Sequence, residues 1–117
     1  HLPSNDEWKA LIVAVAGSIT EYTSPNRAGA KLKSATGWKA YSGITNEDAF
    51  GFSALPASDR YYDGSYAVEG NFTGFWSCTE DGSNGAFEMN LYYKDANAPL
   101  YGKRHKSGAF SVRCLKD

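Results

Sequence analysis

The sequence predicts a single α+β domain spanning residues 1–117, with two helices in its first third and an antiparallel sheet towards its C-terminus. Two observations support this class. Helix start and stop signals enclose apolar residues at helical spacing before residue 38, and strand-like alternation follows after residue 74. Aromatic residues make up 15% of the chain and glycines number 12, a composition typical of sheets and turns.

The first helix is predicted over residues 4–16. Ser4 and Glu7 match the capping box, in which each side chain binds the backbone N–H of the other residue. An apolar stripe follows at i, i+3, i+4 and i+7, formed by Trp8, Leu11, Ile12 and Val15. Gly17 is a suitable C-terminal stop.

A second, shorter helix is predicted to begin at Ser24 and Pro25 and to end at Gly37. Serine is a common N-cap, and proline fits the first helical position. The apolar stripe of this helix is thin and consists of Ala28, Leu32 and Ala35. We expect Lys31 and Lys33 to lie on its solvated flank.

Three alternating runs predict neighbouring strands with one buried and one solvated face. In the first run, Trp76 and Cys78 share a face. The second run places four side chains inside: Phe87, Met89, Leu91 and Tyr93. It places four others outside: Ala86, Glu88, Asn90 and Tyr92. The third run covers residues 110–114 and puts Cys114 on the buried face.

A binding surface is predicted where exposed tyrosines lie beside polar side chains. Residues 61–66 are expected to form a small hairpin that turns at Asp63 and Gly64. It belongs to a long stretch, residues 39–74, with little periodicity, and such stretches are often functional. Tyrosine combines apolar area with a hydroxyl at low entropic cost. The candidate ligand-binding residues are therefore Tyr62 and Tyr66 in the hairpin and Glu88, Asn90 and Tyr92 on the outer strand face.

The two cysteines leave two alternatives open. Cys78 and Cys114 both fall on faces predicted to be apolar, which suits either a cross-strand disulfide or two buried thiols. A disulfide would close a loop of about 35 residues and stabilise the fold by roughly 4 kcal/mol. Neither cysteine has a second cysteine close by in the chain, so we expect no CxxC redox or zinc site.

Ordered sequence blocks carry a resemblance to a known family: residues 1–4 with Glu7 and Trp8, 30–34 with Gly37 and Trp38, 50–56, 76–77 with Thr79 and Glu80, and 110–114. Together they resemble the Fibrobacter succinogenes major paralogous domain, found in surface and secreted bacterial proteins. The resemblance implies a C-type-lectin-like fold, in which two helices and a small antiparallel sheet support a long loop region. It also implies a parent protein at the cell surface or outside the cell.

Charge and hydropathy narrow the expected partners. The formal net charge is −1, so no overall field favours nucleic acid or an anionic membrane. No apolar run approaches the ~20 residues of a membrane span, and we expect no direct membrane insertion. The chain begins at His1 rather than Met, which leads us to expect a fragment or processed product of a larger protein.

Catalytic and metal chemistry find little support in the sequence. His1 and His105 are the only histidines, and neither has an evident nucleophile and orienting group, so we expect no enzyme. Calcium would need clustered oxygen ligands. The candidate groups are Glu47 with Asp48, Asp59 with Asp63, and Glu80 with Asp81 and Asn84, each of which is more simply a turn cap or a solvated edge. The Glu-Pro-Asn, Gln-Pro-Asp and Trp-Asn-Asp motifs of lectins with this fold are missing, so no cofactor is expected, and calcium is left as an alternative without a supporting motif.

The sequence thus predicts a non-catalytic binding or adhesion module of a bacterial surface or secreted protein, with a carbohydrate or protein ligand. The alternative is a structural module that packs against other domains or against copies of itself.

Overall fold

The computed structural model describes residues 1–117 and confirms the α+β class. The helices are α1 (Asn5–Ala16) and α2 (Ala28–Leu32), and the strands are β1 (Phe72–Glu80), β2 (Gly85–Tyr92) and β3 (Leu100–His105). The three strands form one antiparallel sheet in the order β1-β2-β3. Neither helix has the length and apolar character needed to cross a membrane.

The predicted capping box of α1 is confirmed. Ser4 Oγ accepts from the N–H of Glu7 at 3.2 Å, and Glu7 Oε2 accepts from the N–H of Ser4 at 2.8 Å. At the other end Gly17 adopts a φ of 71° and donates its N–H to Val13. The buried face of α1 enters a core shared with the sheet, whose larger members are Trp8, Ile12, Val15, Leu32, Phe75, Met89 and Leu91.

The second helix is shorter than predicted and does not begin at Ser24. Its first amide, that of Ala28, is bound by Asn26 Oδ1 at 3.0 Å, and Arg27 at the N-cap position has a left-handed φ of 58°. Asn97 Oδ1 in turn accepts from the N–H groups of Asn26 and Arg27, each at 2.8 Å. A residue 70 positions away therefore sets the start of α2, which local sequence signals do not reveal.

The prediction that Lys31 and Lys33 are solvated is wrong, most clearly for Lys33. Lys33 is fully buried, and its Nζ donates to the carbonyl oxygens of Tyr92 and Asp95, each at 2.8 Å. Burial lowers the pKa of this amine to about 8. Lys31 Nζ donates to the last carbonyls of α1, those of Val15 and Ala16, at 3.2 Å. Both lysines therefore satisfy backbone acceptors that secondary structure leaves free.

The register of the sheet defines its core face. Phe75 pairs with Met89, and Thr73 pairs with Leu91. Directly opposed residues in antiparallel strands point to the same side, so these side chains share the face that α1 covers. The predicted burial of Met89 and Leu91 is confirmed, whereas in β1 the core residue is Phe75 and Cys78 is exposed.

The predicted strand over residues 110–114 is replaced by a single parallel bridge between Ser111 and Phe75. Ser111 donates its N–H to Gly74 and accepts from Trp76, so this segment pairs with the outer edge of β1. Further along that edge Cys78 donates its N–H to the Pro3 carbonyl. The edge of β1 is thus covered by two short segments rather than by a regular strand.

The two cysteines do not form the disulfide considered above. Cys78 and Cys114 are both exposed free thiols. The N-terminal segment lies between β1, which carries Cys78, and the C-terminal segment, which carries Cys114, because Pro3 accepts from the Cys78 N–H while His1 exchanges backbone bonds with Leu115 at 2.8 Å. The spacing of one intervening segment exceeds the reach of a disulfide.

We expect Lys33→Met to lower the free energy of unfolding by about 2 to 4 kcal/mol, because two carbonyls lose the charged donor of a fully buried side chain while the side-chain volume is retained. Urea denaturation at pH 7 measures this effect. Lys31→Met is the control and should cost less, since the Lys31 side chain is only part-buried and water can take the place of its Nζ at the end of α1. Equal losses in the two variants would contradict the assigned role of Lys33.

Candidate functional site

The second face of the sheet carries a polar cluster in which the buried side chains of Asp59, Glu88 and Asn90 lie beside the part-exposed Arg104. Glu88 is 0% exposed, Asp59 2% and Asn90 4%, so the expectation that Glu88 and Asn90 face solvent is wrong. The alternation along β2 did place Glu88 and Asn90 correctly on the face of the sheet opposite Met89. That face is covered by residues 57–67 and 108–111, which fold back over it and which no periodicity predicts.

Gly74 is the point at which the two buried carboxylates meet. Its N–H donates to Asp59 Oδ1 at 3.0 Å. Asp59 Oδ2 and Glu88 Oε2 both lie no more than 3.2 Å from the place that a Cβ on Gly74 would occupy. Neither of these oxygens has a hydrogen-bond partner in the protein. Only glycine leaves room for this arrangement, since a Cβ would also collide with the Phe110 ring.

Arg104 supplies the positive charge of the cluster. Its Nε lies 2.6 Å from Glu88 Oε1, although the N–H bond does not point at that oxygen. The arginine reaches Glu88 because β3 contains a bulge: Ala86 pairs with Arg104 while Glu88 pairs with Tyr101, so β3 has one residue more than β2 between these pairs. Within the bulge Lys103 adopts a φ of 57°, a conformation rare for lysine.

The cluster changes the protonation behaviour of both acids. Burial raises the pKa of Asp59 to about 7, and the neighbouring Glu88 carboxylate adds to this increase, against the opposing effects of the Gly74 N–H and Arg104. Burial also raises the pKa of Glu88, which Arg104 and Asn90 partly offset. Two carboxyl groups around one glycine with one guanidinium favour a state in which a single proton remains on the pair.

A cleft of ≈ 420 Å³, which we call the Tyr62 cleft, opens beside the cluster. It lies between the hairpin at residues 61–66 and strand β3. Glu88 and Arg104 belong to both the cluster and the cleft, so the charged pair forms part of the wall of the cleft. The lining residues are Tyr61, Tyr62, Phe72, Glu88, Lys103, Arg104, His105, Gly108 and Phe110.

The rim of the Tyr62 cleft combines an exposed ring with free donors. The Tyr62 ring is 71% exposed and lies 5.7 Å from the His105 ring, inclined by 36°. His105 Nδ1 accepts from the N–H of Ser107, which assigns the proton of the neutral ring to Nε2. Lys103 has no ion-pair partner, whereas the nearby Lys106 is bound to Glu80.

The five residues predicted to bind ligand occupy different places. Tyr62 and Glu88 line the Tyr62 cleft, and Tyr66, also 71% exposed, borders an adjacent hollow of ≈ 280 Å³. Tyr92 is 37% exposed and lies behind Phe72, with ring centres 6.4 Å apart. Asn90 is buried. The hairpin prediction itself is borne out by the bond from Tyr61 N–H to the Ser65 carbonyl at 2.8 Å, with Gly64 at a φ of 89°.

The sequence names Asp59 only as a candidate calcium ligand and Arg104 only as part of a basic turn that is more simply solvated, so it does not predict that the two residues meet in one cluster. Asp59 lies in the aperiodic stretch before the hairpin, and Arg104 belongs to a run of basic residues typical of a solvated turn. Their pairing depends on the bulge and on the returning segments. No three histidine, cysteine or acidic side chains converge in a group suited to a metal ion.

We expect Asp59→Asn to remove a pH dependence of stability between about pH 5 and 7. The folded protein holds the Asp59 proton up to about pH 7, whereas the unfolded chain releases it near the ordinary value of 3.8, so this acid lowers stability as pH rises. The effect has an upper limit of about 1.4 kcal/mol per pH unit. Urea unfolding should therefore show the variant gaining stability relative to the natural chain across this window.

Asp63→Asn is the matched control for that titration. Asp63 lies in the exposed hairpin turn, and hydrogen bonds from Ser65 hold its pKa below the ordinary value. It stays ionised in both states above pH 5, so its removal should leave the pH slope unchanged. Identical slopes for the natural chain and Asp59→Asn would contradict the assigned protonation of the cluster.

Comparison with known proteins places the chain in a family. Residues 1–116 match the family model of the Fibrobacter succinogenes major domain. No curated protein matches the chain. No solved structure matches it either. The match covers both helices, the sheet, the buried cluster and the Tyr62 cleft. The chain therefore belongs to the Fibrobacter succinogenes major domain family.

Proposed function

We propose that this chain is a non-catalytic binding or adhesion module of a bacterial surface or secreted protein, and that it binds a carbohydrate or protein ligand in the Tyr62 cleft. The observation that carries the proposal is that a 71% exposed aromatic ring and a part-exposed arginine anchored by a buried carboxylate lie in one concave site. Recognition sites combine apolar surface with a few fixed polar groups in this way.

The architecture supports this role. Residues 39–71 contain no helix or strand, yet they are fixed to the rest of the protein by backbone bonds such as Glu47 to Ala30 at 2.8 Å and Ser58 to Phe72 at 2.9 Å. Loops held on a rigid scaffold are a common means of recognition. A C-type-lectin-like fold, with two helices and a small sheet beneath a long loop region, is the finer class that we propose for this arrangement.

The surroundings of the histidines favour binding over catalysis. Ser107 Oγ lies 2.7 Å from His105 Nδ1, but no carboxylate orients the other ring nitrogen as hydrolytic triads require. His1 lies at the surface between Glu7 and Asp117, with no serine, threonine or cysteine bonded to its ring. The thiols of Cys78 and Cys114 lie outside the Tyr62 cleft.

We expect Tyr62→Ala to weaken ligand binding up to about tenfold, because stacking on an aromatic ring contributes about 0.5 to 1.5 kcal/mol. Tyr66→Ala is the matched control, since both rings are 71% exposed but only Tyr62 lines the cleft. Ligands are first identified on a glycan and polysaccharide array with calcium and again with a chelator. Equal losses in the two variants, or none, would contradict the cleft as the binding site.

A second candidate function is assembly with other domains or with copies of this chain. It is favoured by apolar side chains that project from the loop region, namely Phe50 at 65% exposed, Leu55 at 62% and Val68 at 68%. Exposed apolar side chains of this size are common at protein interfaces when they form a patch.

If assembly is the function, sedimentation velocity at rising concentration should show a concentration-dependent increase in mass that Leu55→Ser reduces. Leu55 is exposed, so the substitution should leave the unfolding free energy within about 0.5 kcal/mol of the natural value. A monomer at every concentration that also fails to bind the rest of its parent protein would rule this function out.

A further inference from the structure

We propose that the Tyr62 cleft recognises an acidic sugar, with the sugar ring against Tyr62 and its carboxylate between Arg104 and Lys103. This inference rests on the proposed binding function and names the chemical class of the ligand. The observations behind it are the charge balance of the cleft, the fixed position of Arg104 and the exposed aromatic ring.

The cleft has a local charge opposite to that of the whole chain. Among the side chains that line the cleft, Lys103 and Arg104 bring two positive charges and Glu88 brings at most one negative charge. The net charge of the chain is −1. The site is therefore positive within a slightly acidic protein, which favours an anionic ligand at this place.

Arg104 is held ready for a carboxylate. Its Nε faces Glu88 Oε1 at 2.6 Å, and its guanidinium carbon lies 5.0 Å from the centre of the Tyr101 ring. These contacts fix the plane of the guanidinium, while its two terminal nitrogens have no partner in the protein. A guanidinium that is already fixed binds a carboxylate through paired hydrogen bonds at little entropic cost.

Glu88 explains why this arginine is fixed but not fully neutralised. The carboxylate lies beneath Nε at the protein side of the cleft and is 0% exposed, so it anchors the arginine from behind. Burial raises the pKa of Glu88, and its neighbour Asp59 keeps a proton near neutral pH, which limits the negative charge that an incoming carboxylate meets.

The aromatic side of the cleft supplies the part of the site that recognises a sugar ring. Tyr62 projects its ring into solvent at the rim, with Phe72 and Phe110 below it. The C–H faces of a pyranose stack on such rings, and the Nε2–H of His105 is a free donor for a ring hydroxyl. An acidic peptide would use the cations but would have no need of Tyr62, so the ring favours the saccharide.

Calorimetric titration of the chain with oligosaccharides of galacturonate, glucuronate and mannuronate tests this proposal. Each acidic oligosaccharide is paired with its methyl ester, which keeps the ring and hydroxyls but removes the charge. We expect at least one acidic form to bind at least tenfold more tightly than its ester, with an affinity that falls as salt is raised. Polyglutamate is included as an acidic ligand without a sugar ring.

Variants assign the binding to the cleft. Lys103→Gln should weaken binding of the acidic form several-fold and leave the ester unaffected, whereas Lys9→Gln on α1, an equal change of charge outside the cleft, should do nothing. The pair Glu88→Gln with Arg104→Gln removes the fixed guanidinium without leaving a buried charge unpaired, and it should abolish the preference for the acid. Tyr62→Ala should weaken both forms.

Each other outcome overturns the inference. Equal binding of acid and ester, with loss in Tyr62→Ala, would overturn the acidic specificity and leave the binding function in place. Polyglutamate bound as tightly as the best acidic sugar, or equal effects of Lys9→Gln and Lys103→Gln, would show general attraction of anions. Binding of only a neutral glycan or only a protein would overturn the specificity for an acidic sugar. Failure to bind a ligand of any class would overturn the binding function as well.

Discussion

The ion pair between Glu88 and Arg104 is the interaction on which the second face of the sheet depends. A fully buried carboxylate is costly unless a cation lies close to it, and Arg104 Nε is 2.6 Å away. The bulge at Lys103 is what allows β3 to bring its arginine over β2. With the pair in place, residues 57–67 and 108–111 can close over the face and leave the Tyr62 cleft open at its side.

Polar side chains also satisfy backbone groups at the ends of helices and strands. Turns, helix ends and sheet edges leave such groups without a partner in regular structure, and side chains from distant segments bind them instead. Lys33 Nζ holds the carbonyls of Tyr92 and Asp95, Asn97 holds the start of α2, and Asp59 holds the amide of Gly74. The fold therefore uses polar side chains inside the protein as fixed connectors between distant segments.

Local patterns predict the parts of this structure whose causes are local. The capping box of α1, its apolar stripe, the core side of β2 and the turn at Gly64 all follow from residues near one another in sequence. The sequence predictions are wrong where contacts between residues far apart in the chain determine the structure. Lys33 looked solvated because its acceptors lie 59 and 62 residues away, and Glu88 looked exposed because the covering segments have no periodicity.

In the candidate site, too, features with local causes could be predicted from the sequence and features set by distant contacts could not. Tyr62 was found from the sequence because a hairpin exposes its residues, whereas the cluster that joins Arg104 and Asp59 was not predicted because a bulge and a returning loop bring these residues together. The family match extends over nearly the whole chain, so the elements that build the cluster and the cleft lie within the family domain.

Amide hydrogen exchange at Gly74, Ser111 and Arg60 tests most directly whether the second face is closed. These amides donate to Asp59 Oδ1, to the Gly74 carbonyl and to the Ala109 carbonyl, all within the covering layer. A closed face predicts that they exchange about as slowly as the amides of the β1–β2 ladder, since opening them requires the cluster to open. Exchange a thousandfold faster than the ladder would show that residues 57–67 and 108–111 do not cover the sheet, and would contradict the buried cluster.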